Sequence, residues 1–450
     1  MTPMFSVDFF SANHRGRLDV HSPRPSDIIE FFRLFGTVEG QQIKLEGIQR
    51  ATPALKERIA AFCAARHAQA PQLGAFNKLV SKLAPDEAFM VLPAAQRTSE
   101  QVACLEMVVG WANGTVTEED CKEFQGLFSR VLAEYDVIHP STDRPNQIGE
   151  AQVSKRTCRF CHRTKADGAT FLSSAHAMSR GFGNIHLKLA DECDTCNGSF
   201  GRDLEPHLLA FFNIPRVTLG ITGRGGLPKV AVRGGEMLHD GERIVIAMRA
   251  GEVQEQDGAL TIEVLSDVRI IPERCYRALT KFALSVIPEA ELPHLKAAVE
   301  WVRNGVRPDG YALPTVYGNI VPLPPDPSAQ IALYVRRSEA SRLPHVIGEF
   351  RLGCYVYAFI VPFSDRDGDE PAFFDDEEFM ATFPQYGGVQ GWRRVDLSGT
   401  DPVDTPAIMR IALQPRSAST MSNVAADSES VVRTGNPASK SNSHSDEEPI

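Results

Sequence analysis

Apolar residues recur three and four positions apart in several stretches of the chain, the spacing that gathers them on one face of a helix. In Pro25 to Phe35 a polar start precedes such a run, and Ala54 to Arg66 and Glu118 to Tyr135 repeat it. The last carries glutamates at its start, where they complement the helix dipole. These stretches predict a mainly helical domain over residues 1–138. Two prolines and a polar run at His139 to Gly149 break the periodicity and predict a linker over 139–150. After the segment 151–215, short β-branched runs take over: Val217–Ile221, Lys229–Val232, Arg243–Met248 and Leu260–Leu265, separated by glycine-rich turns. They predict an antiparallel sheet. Helical spacing returns at Pro272–Ile287 and His294–Gly305, with further strands expected at 330–336 and 348–363. The expectation for 216–413 is therefore a mixed domain of strands and helices. Ser364 to Glu378, with eight acids against Arg366, predicts an acidic surface loop. The segment 414–450, rich in Ser, Ala, Asn and charge, predicts a disordered tail.

Composition adds bounds. At 450 residues the chain exceeds one ordinary core, so two to four domains are expected. A hydrophobic share of 43% and a charged share of 23% are those of a water-soluble protein. The longest apolar run, Cys354 to Phe363, is too short to cross a bilayer as a helix and predicts a buried strand, so no membrane partner is expected. The first residues lack the basic start and apolar core of a secretion signal, which predicts a cytoplasmic protein. The net charge of −10 argues against a surface that coats nucleic acid throughout. Between Lys155 and Arg216, however, nine basic residues stand against six acidic ones, a local excess suited to phosphate contact. The glycine–arginine pieces at 223–226 and 233–235 are read as hairpin turns.

That same segment holds the chemistry. Cys158/Cys161 and Cys193/Cys196 form two Cys-x-x-Cys pairs with 31 residues between them. Two such knuckles facing each other make the four-sulfur tetrahedron that Zn2+ prefers. The clasp encloses His176 and Asn184, and Asn197 follows its last cysteine. A histidine with a pKa near ~6.5 is mostly neutral at pH 7 and can take a proton from water, as phosphodiester hydrolysis requires. Asn184 can hold the imidazole or its strand. Asn197 can offer an oxygen to a divalent cation, with Asp191, Glu192 and Glu205 as nearby carboxylates for a hard-oxygen site.

In this order the residues resemble the HNH endonucleases, in the zinc-clasped branch where Asn replaces the last His of the motif. The likeness covers about 55 residues and rests on Cys-x-x-Cys at 158–161, His176, Gly183–Asn184 and Cys-x-x-Cys-Asn at 193–197. It implies a ββα-metal core over 151–215 and an overall α+β fold. It also implies hydrolysis of phosphodiester bonds, with DNA as the expected partner, and Mg2+ or Mn2+ as the catalytic metal. His176 would be the general base, Asn184 the orienting residue and Asn197 a metal ligand. Large flanking domains in such nucleases point to restriction or antiviral defence. One position departs from the pattern: the residue before the base is commonly an acidic metal ligand, and here it is Ala175. Either another group substitutes, from among Glu205, Asp191, Glu192 and His186, or the nuclease is weakened or inactive. Glu205 is the substitute favoured.

Two other readings predict different behaviour. In one, the clasp is a non-catalytic zinc module that binds nucleic acid or protein, and Mg2+ has no effect. In the other, the helical start and the acidic loop make the chain an interaction scaffold with no affinity for DNA.

Overall fold

The computed structural model describes residues 4–413 except 23, 25, 40–41, 95–98, 143–144, 224, 250, 252, 257–258, 309, 322–327, 340–341 and 406–407. The tail expected over 414–450 lies outside the described residues. The architecture is mixed α+β. Helices form where the spacing predicts them, at Ser26–Phe32, Pro53–Arg66 and Glu118–Glu134. Thr52 caps the second by accepting from the Leu55 amide, and Thr117 with Asp120 builds a reciprocal capping box on the third. Each cap is worth about 1 kcal/mol.

The expectation of a mainly helical start is corrected. Met4–Ser11 and His14–His21 form an antiparallel hairpin that Ala88–Pro93 and Gln49–Arg50 extend into a four-stranded sheet. Phe5, Val7 and Phe9 enter a core with Ile59 and Phe76 from the helices Pro53–Arg66 and Gln72–Lys82. Phe10 and Met90 belong to a separate cluster with Val109 of the helix Ser99–Ala112. The first strand does alternate, with Phe5, Val7 and Phe9 against Ser6 and Asp8, and only Phe10 breaks the pattern because the second face of the sheet is also packed.

The rest of the chain is organised around a six-stranded antiparallel sheet. Its order is Arg393–Val395, Val316–Ile320, Tyr355–Ile360, Val346–Leu352, Ala329–Arg336 and Tyr135–Ile138. The last of these edge strands precedes the expected linker, so residue 138 lies inside an element bound to the C-terminal sheet. The stretch 139–150 itself contains a strand, Asn146–Ile148, which pairs in parallel with Leu187–Leu189. The helix Pro272–Val286 packs on the strands Val346–Leu352 and Ala329–Arg336 and touches the short helix Glu205–Phe211.

Three local expectations also change. Val217–Ile221 is not a strand: Asn213–Thr218 is helical, because Ile214 and Val217, three apart, both pack against Val230 and Met237. The single run 348–363 is two strands that turn at Gly353 (φ 60°), where a Cβ would meet the Leu219 side chain. The acidic stretch is not wholly surface, since the Asp367 carboxylate is buried beside Arg336 at 3.9 Å. Among the described residues no helix is long and apolar enough to cross a membrane.

Candidate functional site

The two cysteine pairs converge. Their four sulfurs lie within 4.8 Å of one another, with Cys158 to Cys196 at 3.8 Å and Cys161 to Cys193 at 3.7 Å. Zinc–sulfur bonds of about 2.3 Å at tetrahedral angles place sulfurs about 3.8 Å apart, the length of these two edges. The first knuckle closes through Cys158 N to Arg163 O (2.9 Å) and His162 N to Cys158 O (2.8 Å). His162 turns the corner in the left-handed region, at φ 57°. The second knuckle leads into the helix Asp194–Asp203, with Cys193 as its cap residue. Hydrogen bonding from Cys196 pulls the Cys158 thiol down to about 4, whereas burial pushes Cys193 up to about 11. Four thiolates this close are tolerable only around a positive charge. The four cysteines therefore form a site able to bind a metal such as zinc.

Between the knuckles the chain makes a short hairpin followed by that helix. Ala177 N donates to Leu187 O (3.1 Å) and Leu189 N to Ala175 O (3.0 Å), so His176 sits opposite Lys188. The side chain of His176 is half-buried. Desolvation, reinforced by Arg180, Lys188 and Lys281, lowers its pKa to about 4, which keeps the imidazole neutral at pH 7 and disfavours its protonated form. The preceding Ala175 is buried at 2% exposure.

A cleft of about 740 Å3 opens beside this hairpin. His176, Asn197 and Glu205 all line it, from three successive elements, and Arg180, Arg216 and Lys229 supply cationic groups to its walls. Arg216 is fixed by donating to Gly181 O at 2.7 Å. Lys229 is paired with Glu236 at 2.6 Å. Gly223 and Gly226, bridged to each other, also line the cleft, but their turn links the helix Asn213–Thr218 to the strand Lys229–Val232 and is not the hairpin between two strands that was expected.

The other expected residues lie elsewhere. Asn184, 1% exposed, spends its amide on the loop: Nδ2 donates to Met178 O (2.9 Å) and Leu187 O (3.1 Å), and Oδ1 accepts from Leu187 N (3.0 Å). It shapes the hairpin that carries His176 and does not line the cleft. The Asp191 carboxylate accepts from Glu150 N at 3.0 Å, where Gly149 (φ 92°) leaves room that a Cβ would take from that carboxylate. Burial raises its pKa. Glu192 is fully buried, 3.1 Å from Lys281 Nζ, and its pKa rises through desolvation to about 7. His186 contributes its backbone, accepting from Asn146 N at 3.1 Å. Of the carboxylates considered, only Glu205 lines the cleft. It does not lie on the Asn197 helix, which ends at Asp203, but opens the next one, Glu205–Phe211.

Three contributors escape sequence reasoning. Asp194 accepts from Leu172 N (3.0 Å) and Ser173 N (2.8 Å), tying the loop before His176 to the helix start. Despite the cost of burial, these bonds and those from Ser173 and Thr170 side chains hold it well below the usual carboxylate range. An acid at the first position of a helix is a legible signal. Arg159, 7% exposed, donates to Leu284 O (2.8 Å) and Ile287 O (2.9 Å) at the end of the helix Pro272–Val286. Lys281, on that same helix, is 1% exposed, and its signal is a cation set among Leu279, Phe282 and Leu284, one turn beyond Arg277 and two beyond Arg274. Comparison with family models, with curated proteins and with solved structures gives no match.

Proposed function

We propose that the protein is an HNH-type, metal-dependent endonuclease that hydrolyses phosphodiester bonds, in DNA for preference. The observation that carries this is the meeting of His176, Asn197 and Glu205 on one cationic cleft beside a hairpin–helix unit clasped by four cysteines. His176, half-buried at the cleft wall and held by backbone bonds on both sides, is the group placed to take a proton from water. Arg180, Arg216 and Lys229 draw in the phosphate backbone. Asn197 and Glu205 offer the oxygen donors for a Mg2+ or Mn2+ ion, which binds proteins through few side chains and keeps several waters. Such an ion, when bound, neutralises charge on the phosphate. The clasp zinc is structural. A role in antiviral defence follows only from the size of the flanking domains.

The test is cleavage of supercoiled plasmid by the full chain with Mg2+ or Mn2+, beside His176→Ala and a chelator control. Loss of cleavage in a variant that keeps its zinc supports the reading, and equal cleavage by both proteins rejects the site. A second reading, a zinc module that binds nucleic acid without cutting it, is favoured by Ala175 in place of the expected acid and by Lys281 lying 3.7 Å from Glu205. It requires DNA binding by the wild type, zinc present, and no change on adding Mg2+.

A further inference from the structure

Behind His176 lies a cation that the cleft does not expose. Lys281 Nζ donates to the His176 carbonyl at 2.9 Å, and lies 3.1 Å from Glu192 Oε2 and 3.7 Å from Glu205 Oε1. The faces of Phe200 and Phe282 flank it at 5.9 and 5.8 Å. Burying an ammonium costs several kcal/mol unless it is paired, and an apolar side chain of the same length would fill the space without that cost. Glu192 is the nearest carboxylate to the ammonium and its natural charge partner. It explains neither the bond to the carbonyl of His176 nor the approach to Glu205.

The clasp also needs bracing from outside. Its hairpin is only a few residues long, too short to hold its own geometry. Arg159 grips the end of the helix Pro272–Val286 through two carbonyls, while Lys281 reaches back from the preceding turn. Gripped at two points, the clasp cannot swivel on that helix.

We propose that Lys281 is a positioning residue of the candidate site, fixing the His176 backbone and the Glu205 carboxylate relative to each other across the floor of the cleft. This rests on the endonuclease reading. The helix Pro272–Val286, far outside the cysteine clasp in sequence, is then part of the apparatus that aims the base.

Lys281→Met alone strands the Glu192 carboxylate and can weaken the fold, so the decisive protein is the double variant Lys281→Met with Glu192→Gln in the full chain. Zinc content, the kcat and KM of plasmid cleavage with Mg2+, and the rate at which diethylpyrocarbonate modifies His176, resolved by peptide mass, are measured against wild type. If Lys281 positions the base, the double variant keeps its zinc while kcat falls about tenfold or more at nearly constant KM, and the modification rate of His176 changes. Wild-type kcat and modification rate in the double variant overturn the proposal, because Lys281 would then serve only to neutralise Glu192. Loss of zinc in the double variant overturns it as well, since the network would be purely structural. If the wild type itself does not cut, the endonuclease reading fails. The modification rate then decides alone whether Lys281 sets the position of His176: a change upholds that, and no change overturns it.

Discussion

The histidine at the centre of the site departs from ordinary solution behaviour, and the departure has a direction. His176 is pushed to about 4 by burial and by Arg180, Lys188 and Lys281, so the folded state favours its neutral form. The stability this confers is complete above the unfolded pKa near ~6.5 and is lost as pH falls from there toward the folded value. A base that is already neutral loses little on mild acidification. Under the proposed endonuclease reading, cleavage at pH 5.5 is expected to stay within about twofold of that at pH 7.5, where an unshifted histidine would lose about tenfold. A pH–rate profile of kcat/KM checks this. Asn184 makes a different prediction, because it fills three hydrogen bonds in a site nearly closed to water. Asn184→Ala takes the side-chain partner from Met178 O and from the Leu187 amide, while Leu187 O keeps Ala177 N, and should cost about 1–3 kcal/mol in denaturant unfolding, with zinc retained. At this scale the residue types His, Asn and Cys announced themselves by spacing. Whether Asn184 faced the cleft or the loop did not, since both roles need the same amide.

At the scale of elements, the knuckles carry the clearest test. Cys196→Ser removes one sulfur from a cage whose members are at most 4.8 Å apart, so zinc content should fall and the clasp should lose its protection from hydrogen exchange. In the first knuckle, His162 occupies a left-handed conformation that costs a side-chain-bearing residue about 1–2 kcal/mol. His162→Gly is expected to raise the thermal midpoint or leave it unchanged, opposite to the usual effect of glycine. Elements with one exposed face were the legible ones, such as the helix Glu118–Glu134. The strand Met4–Ser11 was legible only in part: Phe5, Val7 and Phe9 alternate with Ser6 and Asp8, but the run is short and Phe10, buried in a second cluster, interrupts it. Val217 misled in the opposite sense: its β-branched neighbourhood suggests a strand, yet the contacts of Ile214 and Val217 with Val230 and Met237 settle a helix.

Across the whole molecule, the clasp and the C-terminal helices share one hydrophobic core. Phe160, Phe182 and Leu187 belong to the same buried cluster as Phe282, Trp301 and Phe350. A fragment limited to residues 151–215 would expose that surface. It is expected to bind zinc yet to show no dispersed amide spectrum and no cooperative melting, whereas the full chain melts the clasp together with the sheet. The sequence divides the chain at 138 because prolines and polar residues follow there. Partners more than a hundred residues away, such as Lys281 for His176, leave no local trace in spacing or composition.

The edge strand Tyr135–Ile138 has a consequence in time. Asp136 pairs with Val335, 199 residues later (335 − 136). At about 5–20 residues per second of synthesis, the strand leaves the ribosome some ~10–40 seconds before its partner exists. Both cysteine knuckles are made within that interval. A metal able to bind the four cysteines therefore meets a complete set of ligands on the nascent chain before the sheet can close.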